Sequence, residues 1–327
     1  MTNYEPLREK AFAQHDYDDE IDLRQLFVTL WAGKWLILAM TIVFTAGGVA
    51  YALSKPNIYQ SSVLLAPANE EGGMGGISGQ LGGLASLAGI NIGSGGSNQT
   101  VIAKEVLRSR AFLNDFIDRH NLAVPLLAVS GWNMEKGEWR YNREMYNPQT
   151  GQWLIDENGN SQLPTDWDLV KAFKSEHLGI SENKETGLVT ISVKSLSPIA
   201  SQQWAQWLVQ DINEHMRRQD VAEAEARINY LENKLTDTNI AGMQQVFYQL
   251  IESETRTVML ANAQQEYVFE TIDPAVVPQE KSEPARALIA ILAAFLGGML
   301  GVFIVFVRAF FRSNQDAAQV RKTTQAD

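Results

Sequence analysis

Two long uncharged apolar runs constrain the fold of this 327-residue chain more than any other feature of its sequence. Residues 36–53 and 287–307 contain no Asp, Glu, Lys or Arg. A hydrocarbon core of roughly 30 Å needs about 20 helical residues at ~1.5 Å each, a length that the first run approaches and the second meets. A cleaved signal peptide is disfavoured because no small-residue cleavage site follows the first run before Lys55 and Pro56. We therefore expect transmembrane helices at residues 35–53 and 287–307.

The basic residues near these runs predict how the chain is oriented. Arg24 and Lys34 precede the first run, and Arg308 and Arg312 follow the second. Positive charge close to span ends marks the cytoplasmic side of a membrane, whereas a long loop crosses regardless of its charge. The sequence predicts a bacterial inner-membrane protein with a cytoplasmic arm (1–34), a cytoplasmic tail (308–327) and a periplasmic domain (54–286). That domain is long enough to bury a core of its own.

Composition and motifs argue against several classes of function. The chain has no cysteine, which removes thiol and cysteine–zinc chemistry, and its net charge of −11 disfavours nucleic-acid binding. None of the four histidines falls in a metal-binding spacing, and no nucleotide-binding loop or nucleophile elbow is present. We expect no enzyme activity, no catalytic residue, no metal and no cofactor.

The first part of the predicted periplasmic domain mixes strand and helix signals. Residues 59–67 and 187–194 read as strands, and apolar residues at helical spacing predict a helix over 100–120. The glycine-rich segment 72–96 reads as a mobile loop, or as a segment that docks on a neighbouring subunit. Four tryptophans have two interpretations, core packing or the stacking of sugar rings: Trp132, Trp139, Trp153 and Trp167.

A long helical pattern covers residues 198–264, with Ser197 as its cap and a bend or reversal at 236–242. Up to that point the helix measures about 60 Å, which is too long to lie flat on a compact domain. We expect it to project and to pack on copies of itself. Its apolar stripes are Val221, Ala224, Ile228, Leu231 and Leu235 before the break, and Met243, Phe247, Leu250, Val258 and Ala261 after it.

A strand over 266–273 and an extended proline-containing link lead into the second apolar run. The element order predicts an α+β membrane protein, with a membrane-proximal base domain, two transmembrane helices and a long projecting helical extension.

Four stretches of sequence resemble the Wzz-type polysaccharide co-polymerases, also called chain-length determinants. One pairs Ile21-Asp-Leu-Arg-Gln-Leu-Phe27 with Pro56-Asn-Ile-Tyr59, and another joins the strand at Thr186 to the helix that starts at Ser197. The third holds Tyr248-Gln-Leu-Ile-Glu252. The fourth is the most specific, because it combines Pro274, Pro278 and Pro284 with Gly297, Gly298 and Gly301.

This resemblance implies a ring-shaped homo-oligomer, often of about eight subunits, which acts with a Wzy-type polymerase on a lipid-linked polysaccharide. O-antigen is the favoured product, with enterobacterial common antigen, capsule or exopolysaccharide as alternatives. A kinase-bearing branch of the family is disfavoured because residues 308–327 hold no Gly-x-x-x-x-Gly-Lys-Ser/Thr loop. An envelope secretion adaptor and a transmembrane sensor remain as rival classes.

The candidate functional residues fall into two sets. The motif residues are Pro56, Tyr59, Pro274, Pro278, Pro284, Gly297, Gly298 and Gly301, and the assembly residues are Leu231 and Leu235. Glycines one helical turn apart allow another helix to approach closely in lipid, although glycine is also simply tolerated in membrane helices. We expect Gly297 and Gly301 to contact a helix of another subunit or of the polymerase.

Overall fold

The computed structural model describes residues 23–68, 95–238 and 240–324. Its helices are α1 (Leu23–Ala32), α2 (Lys34–Ser54), α3 (Gly95–Leu107), α4 (Arg110–Arg119), α5 (Ala123–Leu127), α6 (Asp166–Ala172), α7 (Pro198–Asp237), α8 (Ala241–Ala263) and α9 (Arg286–Thr324). Its strands are β1 (Tyr59–Pro67), β2 (Val129–Asn133), β3 (Glu138–Tyr141), β4 (Tyr146–Asn147), β5 (Gln152–Trp153), β6 (Leu178–Glu182), β7 (Val189–Ser195) and β8 (Phe269–Asp273). Most of the glycine-rich segment 72–96 lies outside the described residues, as do residues 1–22 of the predicted arm.

The chain divides into two compact units. One combines Met1–Ser54 with Ala285–Asp327, and the other is Lys55–Pro284. In the first unit, Lys34–Ser54 and Arg286–Phe311 are long and apolar enough to cross a membrane, as judged by length and composition. Helices are therefore confirmed in both apolar runs, and α9 continues beyond residue 307 to Thr324.

A four-stranded antiparallel sheet forms the floor of the second unit, with strand order β6-β7-β1-β8. Strand β1 lies between β7 and β8, and the predicted strands at both ends of this domain are confirmed. Along β7 the side chains alternate between buried and half-buried, as expected when one sheet face is covered. Strand β6, which the sequence pattern did not reveal, pairs with β7 at the sheet edge.

The first half of α7, together with α3, α4 and α6, builds the core over this sheet. Each fully buried Leu, Ile or Phe there contributes about 1.5–3 kcal/mol of apolar burial. The largest fully buried side chains include Phe116, Phe173, Phe269, Leu65, Leu107, Leu113, Ile191, Leu208 and Ile212. The unit thus has a continuous core, and the mixed helix and strand fold class is confirmed.

The helix predicted over 100–120 is wrong as a single element. Helix α3 ends at Leu107, and α4 begins after Ser109, whose hydroxyl accepts a hydrogen bond from the Phe112 amide at 3.2 Å. A serine side chain that satisfies a first-turn amide starts a new helix, because it replaces the hydrogen bond that a continuous helix would supply. The apolar periodicity continues across this break, which explains why the pattern concealed it.

Candidate functional site: the long hairpin and the apolar helix pair

Helices α7 and α8 form an antiparallel hairpin. Helix α7 contains 40 residues, which corresponds to a length of about 60 Å, and α8 returns along it from Ala241. The Arg227 guanidinium contacts the Glu254 carboxylate at 3.0 Å, so residues on either side of the turn lie opposite each other. The sequence left a bend and a reversal open, and the structure shows a reversal.

Helix α7 has two halves with different surroundings. From Pro198 to Met216 it packs on the sheet and buries Trp204, Leu208 and Ile212 among others. Beyond Met216 its one buried side chain is that of Ala224. The outer half of the hairpin is therefore held by its own two helices rather than by the core.

Leu231 and Leu235 lie in this outer half, and both are half-buried. They share a helix face with Ala224, which is fully buried. Helix α8 supplies the opposing stripe of Phe247, Ile251, Val258 and Ala261, each of them half-buried or buried. The expectation that the α7 stripe packs on copies is therefore corrected, because α8 of the same chain covers it.

A second, largely apolar stripe of α8 faces away from α7. It follows 3-4-3-4-3 spacing and consists of the exposed apolar residues Met243, Val246, Leu250 and Leu260 together with Ser253 and the half-buried Thr257, which we call the outer stripe. Val246 is 51% exposed and Leu250 is 45% exposed. The stripe predicted from sequence mixed two faces: Met243 and Leu250 face outward, whereas Phe247, Val258 and Ala261 face inward.

Charge separates the outer stripe from the rest of the hairpin. Residues 218–237 of α7 carry a charged residue at nearly every second position, whereas α8 carries charges at Glu252, Glu254 and Arg256 alone. None of these three belongs to the outer stripe, and Glu254 forms a salt bridge with Arg227. Apolar residues at heptad spacing without charge are typical of a seam between helices.

Helices α2 and α9 form the second antiparallel pair, and glycine controls their approach. A Cβ atom added at Gly297 would lie 2.7 Å from Phe44 Cβ and 3.0 Å from the Met40 carbonyl oxygen. One added at Gly301 would lie 2.9 Å from the Ile37 Cα atom. The distances of 2.7 and 2.9 Å are shorter than real Cβ atoms tolerate, so glycine at 297 and 301 allows the two helix backbones to approach closely.

The helix that approaches Gly297 and Gly301 is thus α2 of the same chain, not a helix of another subunit or of a polymerase. Gly298 does not make such a close approach. A Cβ atom added there would lie 3.5 Å from Thr41 Oγ1, which is an ordinary van der Waals distance. On α2, Gly48 makes the same kind of close approach, to Ala293. Small residues on both helices therefore lock this pair internally.

The motif residues that flank the apolar runs meet at the sheet. The Ile58 amide donates to the Glu283 carbonyl at 3.0 Å, so the stretch after the first run pairs with the stretch before the second. Tyr59 is buried at the start of β1. A single antiparallel bridge thus joins Ile58 and Glu283, which are 225 residues apart in sequence.

The proline-containing link is anchored by the residues between its prolines. Ser61 Oγ donates to the Val276 carbonyl at 2.7 Å, and Ala275 is buried. Pro274 is exposed, whereas Pro278 and Pro284 are half-buried. Proline restricts its own φ and the conformation of the residue before it, and the hydrogen bond from Ser61 holds the residues between the prolines to β1.

Asn213 is a positioning residue that sequence reasoning did not single out. Its side-chain oxygen accepts from the Val268 and Phe269 amides at 2.8 and 2.9 Å, and its nitrogen donates to the Phe269 carbonyl at 2.9 Å. The residue is buried, so these bonds form away from water. Asn213 thereby fixes the start of β8 on α7, and its signal in the sequence was a lone polar residue on an apolar helix face.

The titratable groups of this unit make structural contacts. His177 Nδ1 donates to the Lys194 carbonyl at 2.7 Å, and burial lowers the pKa of its ring. His120 Nε2 lies 3.0 Å from Asp211 Oδ2, and its ring stacks on Trp207. Within residues 23–68, 95–238 and 240–324, no group of three or more His, Cys, Asp or Glu residues is arranged to hold a metal ion.

Two family models match the chain at its two ends. The model described as "Wzz: Chain length determinant protein" matches residues 19–120, and the model described as "GNVR: G-rich domain on putative tyrosine kinase" matches residues 236–310. The second range includes α8, the proline-containing link and the glycines of α9. No curated protein sequence gives a significant match.

Among solved structures, the chain is similar to a full-length bacterial polysaccharide co-polymerase, with 16% identity, 89% of this chain and 99% of that chain covered, and a TM-score of 0.37. It is also similar to a fragment of WzzB, a polysaccharide co-polymerase from Salmonella Typhimurium, with 10% identity, coverage of 69% and 100%, and a TM-score of 0.31. TM-scores this low carry no weight in the assignment, which rests on the two sequence models. The match over residues 19–120, together with the match over residues 236–310, supports a place for this chain in the Wzz-type family of polysaccharide co-polymerases.

Proposed function

We propose that this chain is one subunit of an oligomeric scaffold in the bacterial inner membrane that sets the chain length of a lipid-linked surface polysaccharide. Family membership carries the proposal, since Wzz-type proteins are chain-length regulators. The favoured product is O-antigen made by a Wzy-type polymerase. Enterobacterial common antigen, capsule and exopolysaccharide are the alternative products.

The proposed topology follows from the apolar helices and their basic flanks. Both chain ends are cytoplasmic, and residues 54–286 are periplasmic. A cysteine introduced at the exposed Asn158 should react with a membrane-impermeant thiol reagent in intact spheroplasts, and one at residue 314 should not. The chain has no native cysteine, so each label reports one site. Reversed labelling would contradict this topology.

We assign assembly to the outer stripe of α8 rather than to Leu231 and Leu235. Copies of the chain bury Val246 and Leu250 against one another and repeat this contact around a closed ring of about eight subunits. Complete burial of a leucine or valine contributes about 1.5–3 kcal/mol, and Val246 and Leu250, which are 51% and 45% exposed, leave about half of that gain available for association.

In this mechanism the chain performs no chemistry of its own. The assembled scaffold determines how long the polymerase and its growing product remain engaged, and the polymerase forms every glycosidic bond. Length then depends on the geometry of the ring and on the polar surface that it presents to the polymer.

Deletion of the gene, followed by gel analysis of the surface polysaccharides, tests the function directly. We expect polymer to persist with its modal length lost, and the wild-type gene supplied in trans to restore the mode. Loss of all polymer would indicate a synthetic enzyme, and an unchanged profile would indicate an envelope adaptor or a sensor. Either result would overturn the proposal.

A further inference from the structure

An open groove between α4 and α6 contains chemistry that the scaffold role does not use. Its volume is about 350 Å³, and it is lined by Arg110, Ala111 and Asn114 of α4 and by Asp166 and Val170 of α6. Arg110 and Asp166 are exposed, so a guanidinium and a carboxylate face solvent in the same depression. Neither group forms a salt bridge with any of the described residues.

Asn114 makes this groove unusual. Its side-chain nitrogen donates to Asp166 Oδ2 at 3.2 Å, and its Oδ1 atom is buried without a hydrogen-bond partner among the described residues. The amide cannot be turned the other way, because an ionised carboxylate accepts hydrogen bonds but donates none. A buried unsatisfied acceptor destabilises a fold, whereas an apolar side chain of similar size would not.

The cost at Asn114 is explained if its amide nitrogen is needed to hold Asp166 in the groove. The bond uses one oxygen of the Asp166 carboxylate, and the other oxygen has no protein partner among the described residues.

We propose that this groove binds one sugar residue of a polysaccharide. Sugar hydroxyls donate to a carboxylate and accept from a guanidinium. Asp166 and Arg110, which line the groove, contact the sugar, and Asn114 is the positioning residue for Asp166. The choice of a saccharide rests on the proposed function, and a site of this kind would hold the growing polymer at the scaffold.

Ligand-observed saturation-transfer NMR on the full-length chain tests this inference, in a detergent without a sugar headgroup. The probes are glucose, galactose, N-acetylglucosamine and glucuronate. We expect at least one of them to receive saturation from the wild type, and Arg110→Ala and Asn114→Leu each to reduce it roughly tenfold, as the loss of a charge-assisted contact would. The matched control is Arg143→Ala, which removes an exposed arginine outside the groove.

Thermal unfolding of the same variants separates binding from folding. Asn114→Leu should unfold no earlier than the wild type, because it removes an unsatisfied buried acceptor; if that variant fails to fold, Arg110→Ala carries the binding test. A wild type that binds none of the four sugars, or binding that survives in Arg110→Ala, would overturn the inference. Those outcomes leave the chain-length role standing, because that role is read from the deletion strain.

Discussion

The chain contains two antiparallel helix pairs that are held together in different ways. In the α2–α9 pair, glycines at 48, 297 and 301 bring backbone against backbone. In the α7–α8 hairpin, half-buried side chains such as Leu231 and Phe247 form a thin seam, and the Arg227–Glu254 salt bridge lies beside it. The first pair is closed by its own contacts, whereas the second leaves an apolar stripe exposed.

The difference follows from what surrounds each pair. A lipid-facing helix gains nothing from burying leucine, so close backbone packing must hold such a pair together. A helix in water gains free energy from every apolar group that it buries. The outer stripe of α8 stays exposed in the single chain, so that free energy is not yet gained. Under the proposed assembly, the contacts of α2–α9 lie within one subunit, whereas α7–α8 requires a second copy to cover its outer stripe.

Leucine at Gly297 and Gly301 should have the largest effect on subunit stability. Each substitution forces the backbones of α2 and α9 apart, and we expect a loss of about 3 kcal/mol per site, at the upper end of overpacking costs. Thermal unfolding in detergent, followed by circular dichroism, measures it. The matched control is Gly47→Leu, since nothing lies within 4 Å of a Cβ atom at Gly47. Equal losses in the control would show that close approach is not what holds the pair.

Aspartate at Leu231 and Leu235 should have a smaller, local effect. Each change places a charge on the half-buried face toward α8, and we expect about 2 kcal/mol of local destabilisation per site. Hydrogen exchange should accelerate in residues 225–255 and remain slow in β1 and β7. Faster exchange in those strands would mean that the hairpin and the base unfold together, contrary to the comparison.

The smallest effect concerns pH and belongs to the base alone. Burial holds the pKa of His177 below its ordinary value, so the unfolded chain gains a proton near pH 6.5 while the folded chain stays neutral. Above about pH 6.5 His177 is neutral in both the folded and the unfolded chain and does not lower the free energy of unfolding. As the pH falls from there toward the folded pKa, protonation of the unfolded chain lowers that free energy. His177→Phe should flatten the decline in unfolding temperature between about pH 7 and 5. An unchanged slope would assign that decline to other groups.

Periodicity predicted strands β1, β7 and β8, the apolar helices and the length of α7, because these depend on local pattern. It did not predict which helix covers Leu231, since a stripe of apolar residues is the same whether its partner is the same chain or a copy. Periodicity also could not predict the Ile58–Glu283 pairing or the Asn213 hydrogen bonds, because each joins residues that are distant in sequence. The groove at Asn114 depends on one hydrogen bond between two helices and leaves no sequence pattern.

The central claim is that the outer stripe joins copies of the chain and that this assembly sets polymer length. The direct measurement is the native mass of detergent-solubilised Val246→Asp/Leu250→Asp, taken beside the polysaccharide profile of its host. The control, Gln245→Asp/Asn262→Asp, adds two carboxylates to exposed positions of α8 outside the stripe. We expect the stripe variant alone to fall to smaller assemblies, with the circular dichroism spectrum of the folded chain retained, and to lose its modal length while polymer is still made. A wild-type mass and modal length in the stripe variant would contradict the claim.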